Sequence, residues 1–194
     1  MLEKFPEHLK ESQLMNFFTA REITIIAITV ALTVVFGWFF YLTANLLPIP
    51  GSRFVGVTVF SSFMIYFPVY KIRRRGVFLG VAAVFAGIMS LISLFMGLAI
   101  VLAGLLTEFA GWLVIKDYRT WSLIAVTGFF GFSGTLVSLL ISFFIIGGAA
   151  FEAREILVPL ILLTLLAFLG GCLGAYLADH IISRYLKQVK FWNQ

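Results

Sequence analysis

Apolar residues come in long runs along this chain, separated by short polar breaks. The runs are Ile23 to Ala44, Phe54 to Tyr70, Gly76 to Ile115, Trp121 to Ile146 and Ile156 to Ile182. A helix needs about twenty residues to cross a bilayer core. The run of roughly forty from Gly76 is therefore a helical hairpin, with its turn near Ser90 to Ser93. The pattern predicts six spans, at about 23–44, 54–70, 77–90, 94–115, 121–146 and 156–182, in one integral membrane domain covering 1–194.

Boundary signals sharpen this cut. Thr19 and Glu22 form a T-x-x-E capping box just before the first run. Asn45 to Arg53 reads NLLPIPGSR, a Pro-Gly loop. Gly147 and Gly148 open a loop that leads to Glu152, Arg154 and Glu155, and Pro159 falls near the start of the last span, where a helix tolerates it. Upstream, Leu2, Phe5 and Leu9 recur at helical spacing, as in a short interfacial helix, but Pro6 interrupts them. Glu3, His8 and Glu11 make this stretch too polar for a secretory signal, so the first span reads as a retained helix.

Composition requires lipid as the solvent. The chain of 194 residues is 61% hydrophobic and only 12% charged, and its mean hydropathy is +1.06. Soluble domains are about 45–50% apolar and about 25% charged. No soluble domain fits between the spans. Cys172 is the only cysteine, so no intrachain disulfide forms.

The net charge of +5 changes the picture through its distribution. Lys4, Lys10, Arg21, Lys71, Arg73, Arg74, Arg75, Lys116, Arg119, Arg184, Lys187 and Lys190 fall on one side of a six-span fold, and only Arg53 and Arg154 on the other. Basic loops stay cytoplasmic, so both termini are expected inside. A five-span reading would carry the last five basic residues across and spoil the asymmetry. Basic residues at span ends are explained by topology, and no nucleic-acid partner is implied.

Small residues mark possible helix contacts. Ala20, Thr24, Ala27 and Ala31 line one face of span 1, and Gly76, Gly80, Ala83, Gly87 and Ser90 form a similar row on span 3. Such faces allow close backbone approach. Ordinary packing inside the bundle and docking of a partner membrane protein both fit.

With six spans, both termini inside and Ala27-Ile28-Thr29-Val30-Ala31 in the first helix, the chain resembles the substrate-binding (S) component of energy-coupling factor (ECF) transporters over nearly its whole length. TAREITIIAITVAL is similar to the start of many S components. The resemblance implies an all-α bundle in the prokaryotic plasma membrane that binds a small molecule, often a vitamin, and performs no catalysis. It implies a transmembrane coupling (T) component and two ATPases as partners, and Ala27 and Ala31 as the coupling interface. It also places a ligand lid at Asn45 to Arg53.

The outer half of the bundle then offers Trp38, Tyr41, Asn45, Arg53, Phe143, Glu152, Arg154 and Glu155 for substrate. Aromatics stack on planar rings, and charges orient polar groups at a pocket mouth. The plainer alternatives are interface belts for the aromatics and a solvated helix start for Glu152 to Glu155. Glu108 is an acid inside a span, eight residues before Lys116. Buried acids in lipid are costly; the readings are an interhelical anchor, a coupling-face residue or a proton site, with the anchor favoured.

Other chemistries find less support. Gly131-Phe132-Ser133-Gly134 matches the GxSG of rhomboid proteases, but Ser133 falls mid-span and His180 near a span end. A serine protease needs the two within hydrogen-bond reach. Gly128, Gly131 and Gly134 at i+3 spacing read instead as a packing face. No HxxxH, CxxC or GxxxxGK[ST] is present, so no metal site, cofactor or nucleotide loop is expected. A membrane scaffold that transports nothing is the alternative of a different class.

Overall fold

The computed structural model describes residues 18–44, 52–115, 119–146 and 153–186. Among these the chain forms six helices: α1 (Ala20–Ala44), α2 (Ser52–Ile72), α3 (Val77–Ser90), α4 (Leu94–Val114), α5 (Thr120–Ile146) and α6 (Ala153–Ile181). A π-helical turn, Ile182–Leu186, extends α6. Four stretches are long and apolar enough to cross a membrane, Ala20–Phe39, Leu94–Val114, Thr120–Ile141 and Ile161–Arg184. Gly56–Ile72 and Val77–Ser90 are shorter apolar helices. This is a multi-pass membrane protein.

Local chemistry sets the boundaries. At the start of α1 the Glu22 carboxylate accepts from the Thr19 N–H (2.7 Å), and the Thr19 hydroxyl accepts from the Glu22 N–H (3.4 Å). That is the reciprocal capping box. Arg73, at φ 45°, ends α2 in the left-handed region. Its side chain folds back to donate to the Tyr70 carbonyl at 3.2 Å and covers the Tyr70 ring at 4.6 Å. The α3–α4 turn is held by the Leu91 and Ile92 N–H groups, which donate to the carbonyls of Ile88 and Met89. No charged residue lies in it.

Contacts between helices show that successive helices run antiparallel. Glu22 meets Arg74 (3.8 Å) and Phe36 meets Phe60 (6.1 Å), at opposite ends of the α1–α2 pair. Gly97 packs on Ser90, while Glu108 reaches back to Gly76. Gly111 faces Val126 across α4 and α5, and Gly128 faces Cys172 across α5 and α6. One end of the bundle therefore gathers Arg21, Lys71, Arg73, Arg74, Arg75, Arg119 and Arg184, and is called the basic end below.

The centre of the bundle is where α2, α5 and α6 meet. The inward stripe of α6 is Ala167, Gly171, Gly174, Ala175 and Ala178, all buried. A Cβ on Gly171 would lie 2.9 Å from the Cα of Gly128. One on Gly174 would run into the Val59 carbonyl of α2. Small residues let these backbones touch, and in lipid that contact replaces the hydrophobic drive available in water. A core of Ile65, Tyr66, Val69, Val77, Phe78, Val81, Leu123 and Val126 fills the basic half beyond the crossing.

Glu108 finds its place at the start of α3. Its Oε1 accepts from the Gly76 N–H at 2.6 Å. Gly76 sits at φ 88°, a left-handed conformation that suits glycine. The carboxylate thus caps α3 and stands at the positive end of its dipole, as an anchor would. We expect Glu108→Leu to lose ~1 kcal/mol of stability, because a half-buried donor loses its partner. Glu108→Gln keeps an acceptor and should lose far less. Thermal unfolding in detergent checks the order; equal losses would show that the cap does not matter.

Candidate functional site

A cavity of about 370 Å³ opens among α2, α3, α4 and α5. It lies in the half of the bundle away from the basic end. Its walls differ. From α2 and α5 come Thr58, Ser61, Thr135 and Ser138, together with Gly131 and Gly134. From α3 and α4 come Phe85, Met96, Ala99, Ile100 and Ala103, with Val57 and Phe130 completing the apolar lining. Size and apolar character suit a small organic ligand.

The helix pattern explains both walls. Thr58 and Ser61 stand three residues apart on α2, and Thr135 and Ser138 do the same on α5. That spacing puts each pair on one helix face. The Thr135 hydroxyl donates to the Gly131 carbonyl (2.9 Å), and the Ser61 hydroxyl donates to the Thr58 carbonyl (3.2 Å). Such back-bonding satisfies a hydroxyl within its own helix. Gly131 packs against Thr58 and draws α2 and α5 together, whereas a Cβ on Gly134 would meet only the Ala103 Cβ, at 4.0 Å. Of the three glycines on α5, Gly128 and Gly131 serve packing and Gly134 leaves room in the cavity.

One turn from Ala103, Thr107 and Ser133 lie 3.0 Å apart, both buried. The Thr107 hydroxyl is 2.7 Å from the Ala103 carbonyl; that of Ser133 is 3.2 Å from Ala103 O and 3.1 Å from Phe130 O. Ser133 is thus a polar tie between α4 and α5. His180 is exposed at the basic end with its ring against Tyr176 at 6.3 Å. The protease arrangement does not form.

The residues proposed for substrate from sequence lie elsewhere or outside the described residues. Trp38 is 62% exposed on α1 and does not line the cavity. Asn45 and Glu152 lie outside the described residues. Tyr41, Arg53, Phe143, Arg154 and Glu155 belong to helices α1, α2, α5 and α6, but their side chains are outside the description. By position Arg53 precedes Val57 by one turn, and Phe143 follows Ser138 by five residues. The hydroxyl wall was missed. Paired Ser and Thr at i, i+3 beside mid-span glycines were the available signal.

A second feature lies on α1. Ala20, Thr24, Ala27 and Ala31 are all exposed. The bundle is gripped by the opposite edge of the helix, through buried Ile26, Thr29, Val30 and Thr33. Thr24 donates to the Ala20 carbonyl at 2.8 Å, so its hydroxyl is satisfied within α1. Among the described residues, the small-residue strip is therefore not used for packing. Ala83, Gly87 and Ser90 of the α3 row are exposed too, while Gly80 packs on Phe18 and Ile26.

Near the basic end, fully buried Tyr66 of α2 donates to the Asp179 carboxylate of α6 at 2.8 Å. Asp179 is a second acid within the bundle, unremarked in the sequence because it stands close to the end of α6. No group of three or more His, Cys, Asp or Glu is placed to hold a metal ion among the described residues.

No family model and no curated protein matches the chain. A solved structure does: the crystal structure of an S-component of ECF transporter superposes with a TM-score of 0.59. It is 18% identical in sequence, and the match covers 91% of this chain and 89% of that one. The chain shares the fold of that S-component.

Proposed function

We propose that this chain is the substrate-capture subunit of an ECF-type importer for a vitamin or similar small molecule. The observation that carries the reading is the cavity among α2 to α5, formed within a fold shared with an S-component. In this reading the basic end faces the cytoplasm, with both termini, and the cavity half faces outward, where ligand arrives. The chain binds and presents its ligand without transforming it. Arg53, Phe143, Arg154 and Glu155 stand on helices at the cavity end, and with Tyr41, Asn45 and Glu152 they would contribute to the mouth.

The exposed strip of α1 supports the coupling half of the proposal. Ala27 and Ala31 present no bulk that would hold a partner helix away. The partner would be a T component carrying two ATPases. Replacing Ala27 and Ala31 together by Trp should abolish uptake into cells and co-purification of the T component, while ligand binding by the isolated subunit persists. Both sites already face outward, so the fold tolerates the change. Unchanged uptake would remove the docking role. If neither ATPases nor a small molecule ever accompanies the chain, the capture reading falls and a scaffold takes its place.

A further inference from the structure

We propose that Glu108, Arg75 and Trp112 form a binding site for the headgroup of phosphatidylethanolamine at the basic end of the bundle. The site lies apart from the ligand cavity and does not depend on the capture reading. Its origin is a single oxygen. Glu108 Oε1 accepts from the Gly76 N–H, but Oε2 is buried with no hydrogen-bond partner among the described residues. A buried acceptor without a donor is costly, and more so when it carries charge. Glu108 also lines a cavity of about 20 Å³, together with Arg74, Arg75, Trp112, Phe78 and Ile115. That is room for one group about the size of a water molecule. A water would supply a proton but no counter-charge. An ammonium has the same size and brings both.

Arg75 supplies the opposite charge. Arg74 is drawn towards Glu22, 3.8 Å away. Arg75 is exposed at the rim, and no ion pair joins it to Glu108 among the described residues. A carboxylate and a guanidinium thus border one cavity without neutralising each other. A zwitterion with its ammonium towards Glu108 and its phosphate towards Arg75 meets both, and a guanidinium suits phosphate geometry. The bilayer holds such a molecule. The cavity lies where α4 ends and the basic residues begin, at the limit of the spans. Leu105, Phe109 and Trp112 follow at i, i+4 and i+7 on one exposed face of α4, and the Phe109 and Trp112 rings lie 6.3 Å apart. Acyl chains would run along this face. The Trp112 indole stands at headgroup level, which accommodates both its apolar body and its N–H.

Headgroup methylation tests this on the unaltered protein. Phosphatidylethanolamine, its N-methyl and N,N-dimethyl derivatives and phosphatidylcholine keep both charges, but lose donors and gain bulk stepwise. Phosphatidylglycerol with the same acyl chains keeps the phosphate and has no ammonium. Each lipid is added to the delipidated full chain in nonionic detergent, and bound lipid is read by native mass spectrometry. Affinity should fall along the methylation series. Phosphatidylcholine and phosphatidylglycerol should bind at least about tenfold more weakly than phosphatidylethanolamine, the loss of one charge-assisted hydrogen bond. Glu108→Gln keeps an acceptor for Gly76 without the charge, and should abolish the preference. Arg75→Gln should weaken every lipid in the set alike, since all carry the phosphate. Equal binding along the methylation series would overturn the ammonium site and leave a water as the partner of Oε2. Tighter binding of phosphatidylglycerol would overturn the zwitterion in favour of an anionic lipid on the arginines. A preference for phosphatidylethanolamine that survives Glu108→Gln would overturn the role of Glu108.

Discussion

Gly174→Leu is expected to prevent the bundle from assembling. At this position α6 lies against the backbone of α2, and a Cβ would meet the carbonyl carbon of Val59 at 2.9 Å and the Phe63 nitrogen at 3.1 Å. Overpacking costs ~1–3 kcal/mol where side chains can give way. Here the obstacle is main chain on a buried helix, so the cost should exceed that range. Relief would require α2 and α6 to separate, which also loosens Gly171 from Ser62 and Tyr66 from Asp179. The measurement is size-exclusion profile and thermal midpoint in detergent, beside Gly37→Leu. Gly37 has nothing within 4 Å of its Cβ position, so that variant should behave as wild type. A monodisperse Gly174→Leu protein with an unchanged midpoint would show that the crossing is not required.

Gly134→Leu should act in the opposite way, removing binding and sparing the fold. Gly134 lines the cavity, and its Cβ position is in ordinary contact with Ala103 alone. A leucine there grows into the space a ligand needs. A bound molecule must shift or strain, and ~1–3 kcal/mol of overpacking corresponds to roughly 5- to 150-fold weaker binding. The ligand-free protein should be as stable as wild type or more so, because glycine inside a helix costs ~1 kcal/mol relative to better helix formers. Native mass spectrometry of the small molecule that accompanies each protein, with thermal unfolding, reads both effects. Retained ligand would place the binding site outside the cavity.

Much of the fold was legible because lipid simplifies the code. A helix must satisfy its own backbone in the bilayer, so run length and basic breaks suffice to mark elements. The capping box could be read because Thr19 and Glu22 are local partners. Rotation about each helix axis is harder to read. In a chain this apolar, lipid-facing and core-facing sides look alike. The strip through Ala27 and Ala31 reads first as ordinary packing from sequence, whereas in the structure these residues are exposed. The cavity depends on four such rotations at once. Ser61 and Thr135 are back-bonded like many Ser and Thr residues in apolar helices, so they carried no mark of their own. Attention went instead to charged residues at the mouth, where polarity is conspicuous. Asp179 escaped notice because its partner Tyr66 lies 113 positions away.

The α3–α4 hairpin bears on how the protein is made. Its turn carries no charge, so nothing ionic has to be dragged through the hydrocarbon when the hairpin enters the bilayer. Its one ionisable residue, Glu108, sits near the end that stays behind, already bonded to the hairpin's own first residues through Gly76. Ala82 packs directly on Gly104 between the two arms. A unit that is closed at both ends and tied internally can insert in one step, ahead of α5 and α6. α2, made before the hairpin, would then wait in the bilayer for α6, the helix it crosses at Gly174, which leaves the ribosome last.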